Sequence, residues 1–213
     1  MKPNYCIYYW KNKYQIPNTK LFFPGFKIFR TDHPDKTAHS GTAIIISSKI
    51  QYQLLPSVQL PTIQSTTVQI TLNHVPTKIS SVYLPPHLAI SSRQLNKFLK
   101  SLGQQFLVGG DFNAKHSQLG CISENQRGKM PQKITKNTPY IFISSKGPTY
   151  WPQHHNRHPD ILDFFLSSPS RHIKHSVNNL NDLSSDHTPI LLTMIASIEP
   201  TPPHPSLSQG PIK

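Results

Sequence analysis

Cysteine is almost missing: Cys6 and Cys121 are the only two in 213 residues. Two thiols cannot build a disulfide framework and lack the number and spacing of a structural zinc site, which points to a reducing compartment. Acids are scarce as well, 9 Asp and Glu against 22 Lys and Arg, leaving a formal net charge of +13. Such an excess favours a polyanionic partner, and it predicts nucleic acid more readily than it predicts catalysis; a solvated basic face is the competing reading. No run approaches the ~18 apolar residues of a membrane span. Met1–Trp10 carries one Lys and then Tyr-rich sequence instead of an apolar core ending in small residues. Secretion and membrane spanning are both disfavoured.

What is present can still build a core. Hydrophobic residues make up 36 % and charged residues 15 %, a balance that argues against global disorder and for one domain. The 21 prolines exclude a long helical bundle or coiled coil and favour strands joined by rigid turns. Residues 1–40 read as irregular, with Pro17, Pro24 and Pro34 and no persistent period. Gly41–Ile46 reads as a buried strand, Thr67–Leu72 alternates, and a third strand ends in Ile79–Leu84 before Pro85-Pro86. Leu88, Leu95, Phe98, Leu99 and Leu102 then share one face of a helix stopped by Gly103. Strands follow at Gln105–Gly109, Ile161–Leu166 and Pro189–Ile195, with a weaker one at Arg171–Val177. Strand, helix and strand without a fixed repeat predict an α/β or α+β sandwich, closed by a Pro-rich tail over 199–213.

Three segments carry chemistry. In Leu107-Val-Gly-Gly-Asp-Phe-Asn113 a period of two puts Asp111 and Asn113 on one side and Phe112 on the other. The carboxylate can accept a proton from water or hold a hard cation, and the amide can donate to a phosphate oxygen. An Asx turn is the competing reading. In Ile161–Leu166 the acid Asp163 sits in an apolar strand and needs a donor if it is buried, or a solvent-facing edge if it is not. Leu183–Pro189 offers that donor: His187 paired with Asp163 would gain a fixed tautomer, and extended backbone would aim adjacent Asp186 and His187 differently, one toward a metal and the other toward substrate. A polar turn is again the alternative. Lesser signals are the histidines in Gln153–Asp160, better read as a DNA-facing loop than as a zinc site, and Tyr150-Trp151, either core packing or a base-stacking platform. Lys115, Arg127, Lys129, Arg157, Arg171 and Lys174 are candidate phosphate contacts.

With Tyr83 and the flanking text, these segments resemble the endonuclease/exonuclease/phosphatase superfamily, and within it the apurinic-endonuclease-like domain of jockey-like non-LTR retrotransposons. The strings that carry the resemblance are Pro24–Pro34, Gly41–Ile46, Ser81–Pro86, Val108–His116, Asn125–Gly128, Pro148–Pro152, Pro159–Phe165 and Leu183–Pro189, in family order from about 20 to 196. The resemblance implies a four-layer α/β sandwich, two mainly antiparallel sheets packed face to face with helices outside. It implies hydrolysis of phosphodiesters in double-stranded DNA with Mg²⁺ or Mn²⁺. By motif, Asp111 is similar to the acid that activates water and touches the metal, and Asn113 to the amide on the scissile phosphate. Tyr83 matches the phosphate-side tyrosine, Asp163 the acid that orients the catalytic histidine, here His187, and Asp186 a metal-linked carboxylate. Asn125 and Thr149, with Arg127 and Lys115, are expected at the DNA.

The front of the chain departs from the family, whose active members have a strand ending in Asn and then a strand with a metal-binding Glu. Here no Glu precedes Glu124 and the first acid is Asp32. Tyr5–Lys13 stands about where the Glu strand should finish, and Tyr and Trp offer no anionic oxygen near neutral pH. Asn4 and Asn12 follow no convincing buried strand. The expectation is a domain over 1–198 without its first strands, from a decayed or incompletely predicted retroelement, with activity impaired and 199–213 as tail or linker. The intact element would nick chromosomal DNA in the nucleus as a monomer and pass the 3′-hydroxyl to a downstream reverse transcriptase, which these residues do not contain. Two other readings stand beside it: a basic DNA-binding remnant without catalysis, and a phosphatase of the same superfamily.

Overall fold

The computed structural model describes residues 7–11, 21–32, 41–154, 156–168, 173–180 and 185–202, with the backbone alone at 7–11, 131 and 132. Asn4, Cys6, Asn12, His155, Arg171 and the tail beyond Pro202 lie outside the described residues, so the expectations for them have no structural counterpart.

The stretch read as irregular holds two strands. β1 (Ile7–Lys11) and β2 (Phe26–Asp32) both pair antiparallel with β3 (Gly41–Ser47), which lies between them. β2 escaped notice because an outer strand is only half buried and its residues do not alternate cleanly; of its seven, only Thr31 is buried. β3, the Ile-rich run, is buried along almost its whole length, as its unbroken hydrophobicity predicts.

The second, seven-stranded sheet is built on a long hairpin. β6 (Ile63–Leu72) and β7 (Val75–Tyr83) are joined by Asn73-His74, both at positive φ (48° and 63°), which suits the right-handed twist of the flanking strands. The short strands β4 (Tyr52–Leu54) and β5 (Val58–Leu60) pair with β6. α1 (Ser92–Ser101) crosses from β7 to β8 (Phe106–Asp111), which pairs parallel to β7. A reciprocal Ser91–Gln94 capping box starts α1 four residues later than Leu88, which belongs to the preceding loop. Beyond β8 comes α2 (Lys129–Asn137), unanticipated because Met130 and Ile134 alone mark its inward face among the described side chains, then β9 (Ile141–Ile143) and β10 (Asp163–Ser167). β10 pairs antiparallel with both β8 and β9. β11 (His175–Asn179) and β12 (Ile190–Met194) form a separate two-stranded hairpin.

Alternation along these strands divides the core in two. On one face of the large sheet, Leu95, Phe98 and Leu99 of α1 and Met130 and Ile134 of α2 pack against Val82, Phe106, Val108, Phe164 and Leu166. On the other, Ile44 and Ile46 of β3, with partly buried Leu192 and Met194 of β12, meet Val68, Ile70, Ile79, Leu107 and Phe165. Two sheet layers packed through an aliphatic interface and flanked by helices make the predicted α/β sandwich; among the described residues both helices lie on the same outer side. No helix among them is long and apolar enough to cross a membrane. The chain from Ser197 to Thr201 is still bonded to the body, through Asn73, Thr71, Gln51 and Lys49.

β8 can run against β7 because residue 110 is glycine. Its φ is +147°, and a Cβ there would stand 2.0 Å from the Val82 carbonyl oxygen.

Candidate active site

The register that fixes the sheet also assembles the site. Tyr83 at the end of β7 lies opposite Asp111 at the end of β8, and Asp111 lies opposite Asp163 at the start of β10. The alternation that sends Phe112 and Phe164 to the helix side, where their rings stack at 4.2 Å, leaves these three residues on the opposite face. Asp163 begins its strand instead of lying within it, so its carboxylate reaches the mouth of the sandwich.

His187 arrives from the far end of the chain. Thr188 N donates to the Thr149 carbonyl and Trp151 N to the Asp186 carbonyl, each at 2.8 Å, while Trp151 Nε1 donates to Thr188 Oγ1 at 2.8 Å. The Tyr150 ring packs on the His187 ring with centroids 5.0 Å apart. Held there, His187 Nδ1 stands 2.7 Å from Asp163 Oδ2. An ionised carboxylate only accepts, so this contact places the proton on Nδ1. Asp111, Asp163 and His187 each present a ligand atom, all within 4.8 Å of one another, and they form the one such cluster found among the described residues. Two carboxylates and an imidazole can hold a divalent cation, with the oxygens suiting a hard ion and water completing the shell. Asp186 is not part of that cluster.

Asn113 stands beside Asp111 but has left the strand, with φ at +49°. Its backbone N–H donates to Asp111 Oδ1 at 2.9 Å, the Asx turn raised as the alternative reading, and its amide donates to the Leu84 carbonyl at 3.0 Å.

The four residues expected at the substrate are all engaged with the protein itself. Thr149 is fully buried, and its hydroxyl accepts from Leu162 N and Asp163 N at 2.9 and 3.0 Å, pinning the first residues of β10. Asn125 accepts from Lys115 N and Gly128 N and donates to the Asn113 carbonyl, closing the loop after β8. Arg127 is buried and donates to the carbonyls of Leu84, Pro85 and Leu88. Burial lowers the pKa of its guanidinium, while neighbouring Asp111 and Tyr83 push it back up. Lys115 pairs with Asp160 at 2.8 Å. Each orders a segment that carries a site residue, a role that residue type alone does not reveal.

Two positions were missed. Gln64, fully buried, extends the Tyr83–Asp111–Asp163 row by one strand because it lies opposite Tyr83 on β6. Its signal was a polar residue at an inward position of the series Gln64, Thr66, Val68, Ile70. Asp160 is buried, and its carboxylate also accepts from Ile122 N and Ser123 Oγ. Burial pushes its pKa up, but the hydrogen bonds from Lys115, Ser123 and Ile122 N outweigh that and hold it below the usual range. Burial pushes the nearby Cys121 thiol up, so it is a packing residue and not a nucleophile. His116 caps the turn at Ser117–Leu119 through Nδ1, and His154 and His158 join no metal cluster among the described residues.

The family described as endonuclease-reverse transcriptase matches residues 77–191, more than half of the chain. The RNA-directed DNA polymerase from mobile element jockey of Drosophila funebris is 30 % identical over 188 residues, covering 88 % of this chain and 20 % of that protein. The chain thus spans about a fifth of the length of that relative. Among solved structures, the endonuclease domain of TRAS1, a telomere-specific non-LTR retrotransposon, superposes with a TM-score of 0.66 at 20 % identity, covering 81 % of each chain. The AP endonuclease LMAP from Leishmania major gives 0.62 at 14 % identity over 82 % of this chain and 71 % of that one. The chain belongs to the endonuclease/exonuclease/phosphatase superfamily and is related within it to the endonucleases of jockey-like non-LTR retrotransposons.

Proposed function

We propose that this domain is a divalent-metal-dependent DNA endonuclease that nicks target DNA for retrotransposition, working in the nucleus and followed in the intact element by a reverse transcriptase. The observation that carries the reading is the Asp111–Asp163–His187 cluster, drawn from three separated segments to the mouth of a nuclease-type sandwich. Asp111 accepts the proton of the attacking water. The water oxygen bonds to phosphorus, the P–O3′ bond breaks, and the departing O3′ takes a proton from solvent water, leaving a 3′-hydroxyl and a 5′-phosphate. Asp163 keeps the His187 ring oriented through Nδ1 and favours its imidazolium form, whose Nε2–H donates to a phosphoryl oxygen and stabilises its growing charge. Tyr83 and Asn113 flank the same phosphate, and Thr149, Asn125, Arg127 and Lys115 hold the segments beneath it. A Mg²⁺ or Mn²⁺ ion held by Asp111 and its neighbours would neutralise charge on the phosphoryl oxygens.

A second reading, DNA binding without hydrolysis, is favoured by one observation. The backbone of β1 lies across from β7 and β8, yet residues 1–31 contain no carboxylate that it could bring to a metal. Nicking of supercoiled plasmid with and without Mg²⁺ separates the two. Metal-dependent nicking abolished by Asp111→Ala and by His187→Ala supports the nuclease. Nicking unchanged by either substitution overturns the site, and binding with no nicking selects the second reading.

A further inference from the structure

The two helices carry a pattern that the active site does not use. α1 exposes Arg93, Lys97 and Lys100, and α2 exposes Lys129, Lys133 and Lys136. Both triplets follow the spacing i, i+4, i+7, which lines the three cations along one face over about 10 Å of helix. Neither helix contains an acid, and among the described residues none of the six is in an ion pair; Lys129 lies close enough to Glu124 to favour its charged form. α1 and α2 pack side by side, so the two stripes share one outer surface.

Lys100 and Lys136 suit the last turns of their helices, where the dipole favours a cation. Arg93 and Lys129 stand in first turns, where it does not, and each stripe sets like charges three and four residues apart. An anionic partner would compensate these unfavourable placements. The outward positions offer no aromatic ring, so bases have nothing to stack on, and contact would be with phosphates alone, the mode suited to a duplex and not to a single strand.

We propose that the outer faces of α1 and α2 form a second nucleic-acid surface that binds the phosphate backbone of duplex DNA. It lies on the helix side of the large sheet, whereas Tyr83, Asp111 and Asp163 belong to the opposite face. The surface itself is independent of the nuclease reading; only the choice of DNA as the duplex rests on it.

The test is fluorescence anisotropy with a duplex of about 30 base pairs in EDTA, so that nothing is hydrolysed, across a salt series. R93Q/K97Q/K100Q and K129Q/K133Q/K136Q are each expected to flatten the slope of log K against log salt by about 2 to 3, since each phosphate contact contributes about 0.9. K27Q/K49Q/K174Q removes the same charge from exposed positions elsewhere and is expected to change the slope by less than about 1. Gln preserves helix propensity, and K97Q/K133Q, with an expected flattening of about 2, serves if a triple variant unfolds. Wild-type slopes in the helix variants overturn the proposal. So does equal flattening by the matched control, or a larger effect of the helix variants on single-stranded DNA of the same sequence than on the duplex. Asp111→Asn is expected to retain the wild-type slope while losing nicking, so failure of the nuclease reading and failure of this surface give different results.

Discussion

The two faces of the seven-stranded sheet use the same strands for different ends. On the helix side, Val82, Phe106, Val108, Phe112, Phe164 and Leu166 form a continuous apolar layer that runs past the ends of β8 and β10. On the other side, the apolar residues Ile79, Leu107 and Phe165 give way toward the mouth to Gln64, Tyr83, Asp111 and Asp163. Facing that polar end, Thr66 is hydrogen-bonded to Thr31 and Thr42 of the smaller sheet at 2.8 and 2.9 Å. Stability and chemistry are thus interleaved residue by residue, and the apolar face fixes where the polar face points.

The sharpest break between the faces is expected from Asp111→Asn, which keeps the shape of the side chain and removes its basicity. Single-turnover nicking should fall roughly a thousandfold or more with little change in thermal stability. On the opposite face, Phe164→Ala removes a fully buried ring stacked on Phe112. It should cost about 3–5 kcal/mol in urea unfolding, with activity per folded molecule close to wild type. An equal loss of activity there would mean that the faces are not separable. Gly110→Ala tests the register between them: with a Cβ 2.0 Å from the Val82 carbonyl oxygen, β8 must move away from β7. A loss of about 2–4 kcal/mol is expected together with reduced nicking, because Asp111 moves with its strand.

The smallest effect concerns the loops around the mouth. The folded-state pKa of Asp160 lies below its unfolded value, so its stabilisation is fully present above the unfolded carboxylate pKa and is lost as pH falls through the folded one. Asp160→Asn should cost about 1–3 kcal/mol at neutral pH, by leaving Lys115 without its partner. It should also flatten the acid limb of stability against pH, measured by thermal melts at stepped pH. An unchanged acid limb would assign the acid sensitivity to other carboxylates.

Much of this was legible in the chain. Apolar runs and alternation located β3, β6, β7, β8, β10 and β12, and the motif strings drew attention to Asp111, Asp163 and His187 before any contact was known. Three features resisted. β2 is too exposed to carry a period, and among its described side chains α2 has only Met130 and Ile134 as its inward mark. Arg127, Asn125, Thr149 and Lys115 have the residue types of a DNA surface, and residue type does not show that they also bond to backbone carbonyls, amide N–H groups and Asp160. Whether a polar side chain meets water, substrate or its own backbone depends on what folds over it, and that is not local information.

The sequence by itself determined the strand alternation, the glycine that lets β8 approach β7, the basic charge and the residue types of the site, because each follows from local sterics or composition. Tertiary structure alone decided that Asp163 meets His187 across 24 positions of chain while Asp186 does not join them. That selection depends on register and on the Thr149–Thr188 pairing, which set side-chain direction to within a single residue, and one residue along an extended strand reverses the face.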